Sequence, residues 1–116
     1  MILDDIRTKL LEVDPNVMYG AFDKSFNEPI MDYIVFNRNN IGINKDKTSY
    51  SYYFSVHIVR EEYIPEGLDR IVIAKMLEIP GMRLSEEKPV YDYSMKPNTN
   101  VVLEMLSIDF VKPVKV

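Results

Sequence analysis

Apolar residues follow two rhythms along this chain. Ile2, Leu3, Ile6 and Leu10 share one side of a helical wheel, which predicts a helix over Ile2–Leu11. Asp4 and Asp5 in its first turn complement the helix dipole. Asp14-Pro15-Asn16 ends it, because proline disfavours helical geometry in the residue before it. Val17–Phe22 reads as a short extended piece and Asp23–Pro29 as a polar loop. The rhythm then shortens to two, predicting a strand over Ile30–Asn37 with Tyr33 and Val35 on one face and Ile34 and Phe36 on the other. Asn37–Lys47 is rich in asparagine, glycine and aspartate, which tolerate left-handed backbone, and reads as a long hairpin tip. Ile41 and Ile43 are candidates for a small extra strand within it. The return strand, Thr48–Arg60, places Tyr50, Tyr52, Phe54, Val56 and Ile58 on one face and is rich in hydroxyls on the other.

Helical spacing resumes over Glu66–Glu78, where Leu68, Ile71, Val72, Lys75, Met76 and Ile79 make a stripe with the lysine stem at its margin. Burying each apolar member contributes about 1.5–3 kcal/mol, so the stripe reads as core against a sheet. Pro80-Gly81 stops the helix. Met82–Leu84 and Val90–Tyr93 flank the acidic turn Ser85-Glu-Glu-Lys88 as one interrupted strand, and Lys96–Asn100 is the last turn. Val101–Val111 is apolar on both faces, the mark of a central or doubly covered strand, with Glu104, Ser107 and Asp109 as exceptions. The pattern predicts a single α+β domain over residues 1–116. Its antiparallel sheet has about four strands, with two helices packed on one face, in the order α-β-β-α-β-β.

Composition narrows the classes. A chain of 116 residues with 47% hydrophobic content can bury a core without staples. It has no cysteine, so disulfides, thiolate zinc sites and a cysteine nucleophile are excluded. The formal charge of −4 lacks the basic patch of a protein that grips nucleic acid through phosphates. No apolar run approaches the roughly 20 residues of a membrane span, and the acidic N-terminus is unlike a signal peptide. A soluble protein is expected.

Little chemistry assembles. His57, the single histidine, sits on a strand between Val56 and Ile58, sharing a face with Ser55 and Val59. Without a second histidine or a cysteine it reads as structural rather than as a base or metal ligand. The adjacent acids Asp4-Asp5, Glu61-Glu62 and Glu86-Glu87 point apart and form no acid/base couple. Asn37–Thr48 superficially resembles a calcium loop, but asparagine stands first and threonine twelfth. The four glycines make no phosphate loop. Tyr50, Tyr52 and Tyr53 beside Phe54 have the makings of a base-stacking platform, yet Lys45, Lys47 and Arg60 are offset by Asp46, Glu61 and Glu62. Tyrosine equally suits half-buried strands and protein interfaces. No enzyme, cofactor or metal site is expected.

Several segments carry a resemblance: Met31-Asp-Tyr-Ile-Val-Phe36, the run Thr48–Val59, Glu62-Tyr-Ile-Pro65, Gly81-Met-Arg-Leu84, Tyr91-Asp-Tyr93 and the closing Asn100–Phe110. In that order they resemble the small tail-terminator (tail completion, tail-to-head joining) proteins of long-tailed phages and prophages, over nearly the whole chain. The resemblance implies an α+β virion protein that assembles as a hexameric ring on the last ring of the tail tube. It also implies the major tail tube protein and a head-completion neck protein as partners, and DNA that passes through without specific binding. Localisation would be the virion tail or neck, and the host cytoplasm during assembly. Under this reading the subunit contacts fall on the hairpin and the tyrosine strand, at Arg38, Asn40, Ile41, Ile43, Lys45, Tyr50, Tyr52 and Tyr53. A head-completion adaptor or stopper remains an alternative, as does a small α+β ligand-binding domain or enzyme with a cleft near His57.

Overall fold

A computed structural model describes residues 1–21, 32–96 and 98–115. The loop expected over Asp23–Pro29 lies outside these residues, as do Phe22, Ile30, Met31 and Pro97. The elements run α1 (Ile2–Leu11), β1 (Val17–Tyr19), β2 (Tyr33–Ile43), β3 (Ser49–Glu61), α2 (Leu68–Leu77), β4 (Arg83–Leu84), β5 (Val90–Met95) and β6 (Val102–Lys115). No helix among them is long and apolar enough to cross a membrane.

The α+β class stands, but the sheet has six strands instead of about four, and the order is α-β-β-β-α-β-β-β. Two features account for the difference. Val17–Tyr19 joins the sheet as β1, parallel to β2 and in register with Ile34–Phe36, which makes the sheet mixed. The interrupted strand counts as two, since β4 pairs Val111 and Phe110 while β5 pairs Ser107 back to Val102, end to end along one edge of β6. β6 itself is central, with β3 on its other side over thirteen registered pairs. Its apolar character on both faces follows from that position.

Alternation sorts each strand. Ile34 and Phe36 of β2, Phe54, Val56 and Ile58 of β3, and Leu106, Ile108 and Phe110 of β6 form one apolar face. Ile6 and Leu10 of α1, with Val72, Met76 and Ile79 of α2 and its C-terminal turn, cover it. α2 starts at Leu68 after Gly67 in a left-handed conformation, and Ile71 is exposed while Ile73 packs against the core. The stripe predicted through Ile71 is thus rotated by a fraction of a turn. Across the helix pair, Lys9 meets Glu78 at 3.0 Å and Lys75 meets Glu12 at 3.5 Å.

The connection from α1 into β1 is pinned by a buried charge. Asp14 is 4% exposed at its side chain and pairs with Arg60 of β3 at 2.7 Å, while its other oxygen accepts from the Asn16 backbone at 2.8 Å. Arg60 also donates to the Val59 carbonyl at 2.8 Å. The pair fixes where the chain leaves α1 and hence the register of β1, with Ile34 N–H donating to Asn16 at 2.9 Å. Removing the acid would strand a guanidinium that is itself largely buried. Asp14→Ala is expected to destabilise the fold by about 3–5 kcal/mol. Urea unfolding checks it, as a lowered midpoint with an unchanged slope.

Candidate functional site

A helix rises about 1.5 Å per residue and a strand about 3.3 Å, so the ten-residue helices span about 15 Å and thirteen-residue β3 about 43 Å. The helices therefore cover one end of the sheet only, and the molecule is drawn out to 52 × 25 × 24 Å. Past Phe54 the β2–β3 hairpin and the end of β6 run on without a helix above them.

The hairpin is longer in strand and shorter in turn than its composition predicts. Ile41 and Ile43 are the continuation of β2 and not a separate strand, and the tip proper is Asn44–Thr48. Asn44 and Asp46 order that tip: the Thr48 backbone N–H donates to Asn44 Oδ1 at 3.0 Å, and the Thr48 hydroxyl donates to Asp46 at 2.7 Å. The hydroxyl bond and its backbone companion hold the Asp46 carboxyl below the ordinary carboxylate range. A bulge links tip to base. Arg38 pairs Phe54 and Ile41 pairs Tyr52, so Asn39 and Asn40 together oppose Tyr53. The extra residue keeps Ile41 and Ile43 on the same face as Tyr52 and Tyr50. Unbulged pairing would have sent both isoleucines to the opposite face.

The result is an apolar groove of about 570 Å³ lined by Ile2, Arg38, Asn39, Asn40, Ile41, Tyr52, Tyr53, Phe54, Lys112 and Val114. Five of the sequence-predicted contact residues, Arg38, Asn40, Ile41, Tyr52 and Tyr53, meet here. Ile43 and Tyr50 pair with each other one step further along the same face, their rings and methyls extending it. Tyr50 and Tyr52 stand edge to face at 6.4 Å between ring centroids. Lys45 sits on the tip. Ile41 and Ile43 are 60% and 61% exposed, an unusual state for two isoleucines on one strand. Sequence reasoning missed Lys112 and Val114, because it ended the last strand at Val111, and it placed Ile2 only on the apolar side of the first helix. The alternation of Val111 and Pro113 with Lys112 and Val114 was the available signal.

On the opposite face of the sheet Met18, Val35 and Val59 are buried, and a row of side-chain hydrogen bonds runs beside them. His57 Nδ1 lies 2.7 Å from the Ser107 hydroxyl and Nε2 lies 2.9 Å from Asn37 Oδ1. The Asn37 amide nitrogen donates to the Arg38 carbonyl, which fixes Oδ1 as the histidine's acceptor and places the ring proton on Nε2. One step away, the Ser55 hydroxyl donates to Asp109 at 2.7 Å and accepts from Asn39 at 3.3 Å. These rungs tie β2, β3 and β6 together beside the bulge. A second, polar cleft of about 620 Å³ lies near them, between the hairpin and the Glu86-Glu87 turn, and includes Arg83 and Asp109. His57 lines neither cavity. Among the described residues no group of three histidine, cysteine or acidic side chains is placed to hold a metal ion.

No model of a known protein family matches the chain, and no curated protein matches it.

Burial holds the His57 imidazole below its ordinary value of 6.5, against a smaller opposing pull from Asp109. The unfolded chain therefore takes up a proton near that value which the folded chain refuses. Stability is unaffected by this group above about pH 6.5 and falls as the pH drops below it. His57→Gln, whose amide can satisfy both neighbours, is expected to flatten the decline between about pH 7 and 5. Urea unfolding at several pH values reads the difference.

Proposed function

We propose that this chain is a structural, non-enzymatic subunit of a long-tailed phage or prophage. In this reading it is the tail terminator, which closes the tail tube as a ring and joins tail to head. The single observation that carries the reading is the uncovered apolar groove beneath the overhanging hairpin. A projecting two-stranded arm with exposed isoleucines and half-buried tyrosines has the make-up of a protein interface, where aromatic residues and arginine concentrate. The sequence resemblance supplies the particular assembly: a ring, six copies in the family it resembles, seated on the last ring of tube protein and offering a surface to the head-completion protein. The acidic balance of the chain suits a bore through which DNA slides without adhering.

The two imidazole nitrogens of His57 are engaged by a serine and an asparagine, a structural arrangement that supports this reading over a reaction centre at that residue. Omitting the protein from an assembling phage is expected to leave filled heads separate from tails of uncontrolled length, counted by negative-stain electron microscopy. Normal virions assembled without it would overturn the proposal. Free tails of normal length with unsealed heads would assign the protein to the neck side instead, as an adaptor or stopper.

A further inference from the structure

We propose that the β5 edge of one copy seats in the hairpin groove of the next, so that the chain joins itself head to tail. The pairing rests on the ring reading above and names the two surfaces that make it. β5 is an edge strand whose Tyr91, Tyr93 and Met95 alternate along the helix side and are 50%, 64% and 52% exposed. Val102, across from Met95, extends the patch. An apolar edge left open invites indiscriminate pairing, and proteins that keep one cover it with a partner.

Charge selects which partner. The overhang itself carries Arg38, Lys45, Lys47, Lys112 and Lys115 against Asp46, with Glu86 and Glu87 across the polar cleft of the opposite face. Around β5 the balance reverses: Glu61, Glu62, Asp92 and Glu104, which lies across from Tyr93, outweigh Lys88 and Lys96. A basic apolar groove and an acidic apolar edge on one molecule complement each other and repel their own kind. Within one chain they cannot meet, since β5 pairs the first half of β6, Val102–Ser107, while the groove is built on Lys112 and Val114 at its far end. Contacts between two different surfaces of identical copies are heterologous, and they propagate until rotation closes a ring.

Two variants separate the surfaces: Ile41→Glu with Ile43→Glu in the overhang, and Tyr91→Lys with Met95→Lys on β5. All four side chains are at least half exposed, so both variants are expected to fold, with unchanged circular dichroism. In analytical ultracentrifugation of the full chain, each alone is expected to weaken self-association about thirtyfold or more, the loss typical of a hot-spot residue. Mixed together, each still holds one intact surface, and they are expected to form a one-to-one heterodimer that grows no further. Association in both variants at wild-type strength would remove this pairing and leave the ring reading standing. Two silenced variants that form no heterodimer would overturn the head-to-tail arrangement in favour of a self-complementary contact. A wild-type chain that stays monomeric to about 1 mM would remove the pairing and the ring together.

Discussion

The length mismatch between helix and strand governs this molecule. Ten residues of helix cover less than half of what thirteen residues of strand span, so two helices of that length close a core at one end and cannot reach the other. The residues buried most completely lie where the helices reach: Ile6, Leu10, Val72 and Met76 above, Phe36, Val56, Ile58 and Ile108 below. The groove proposed as a docking surface lies where they stop. The same alternation that builds the core continues past it, so the groove is the core's own face extended without its roof. Apolar residues are there because the pattern of the strand persists, and they are exposed because the helices have ended.

Much of this was legible in residue order. The first helix, the tyrosine strand and its facing, the central last strand and the break at Ser85–Lys88 all follow from period and turn chemistry, and the structure places them as the pattern predicts. The hairpin was misread for a definite reason. Ile34 and Phe36 fall on even positions and Ile41 and Ile43 on odd ones, so a strict period of two breaks between them. A bulge absorbs the odd residue at Asn39–Asn40, and no local propensity distinguishes that from a loop of asparagines. The eight residues named from sequence lie on the arm because they were taken from the hairpin segment itself.

The parallel pairing of β1 was invisible for another reason. Three residues, Val17–Tyr19, carry too little pattern to declare a partner, and their register is set by the Asp14–Arg60 pair and the Asn16 carbonyl, forty-six positions apart in the chain in the first case. Long-range electrostatics of this sort leave no periodic trace. An acid before a proline reads equally as a helix stop, which it also is. The buried ion pair is costly to desolvate and is a weak source of net stability, so specificity of chain path is the better explanation for its presence.

An arm that projects beyond its helices must be stiff to serve as a docking surface, because ordering a floppy one on binding would consume the affinity it offers. The face opposite the two helices meets that need. Asn37, His57 and Ser107 form one rung across three strands, and Asn39, Ser55 and Asp109 form the next, immediately under the bulge. Hydrogen bonds across strands fix their mutual rotation, and half-buried polar groups tolerate solvent nearby in a way that apolar ones do not. One face of the sheet is thus held by helices at its base and the other by side-chain rungs at mid-length, leaving the apolar side of the hairpin braced from behind and open in front. The histidine's place in such a rung, neutral and with both nitrogens engaged, is that of a brace whose strength is greatest above its ordinary titration range.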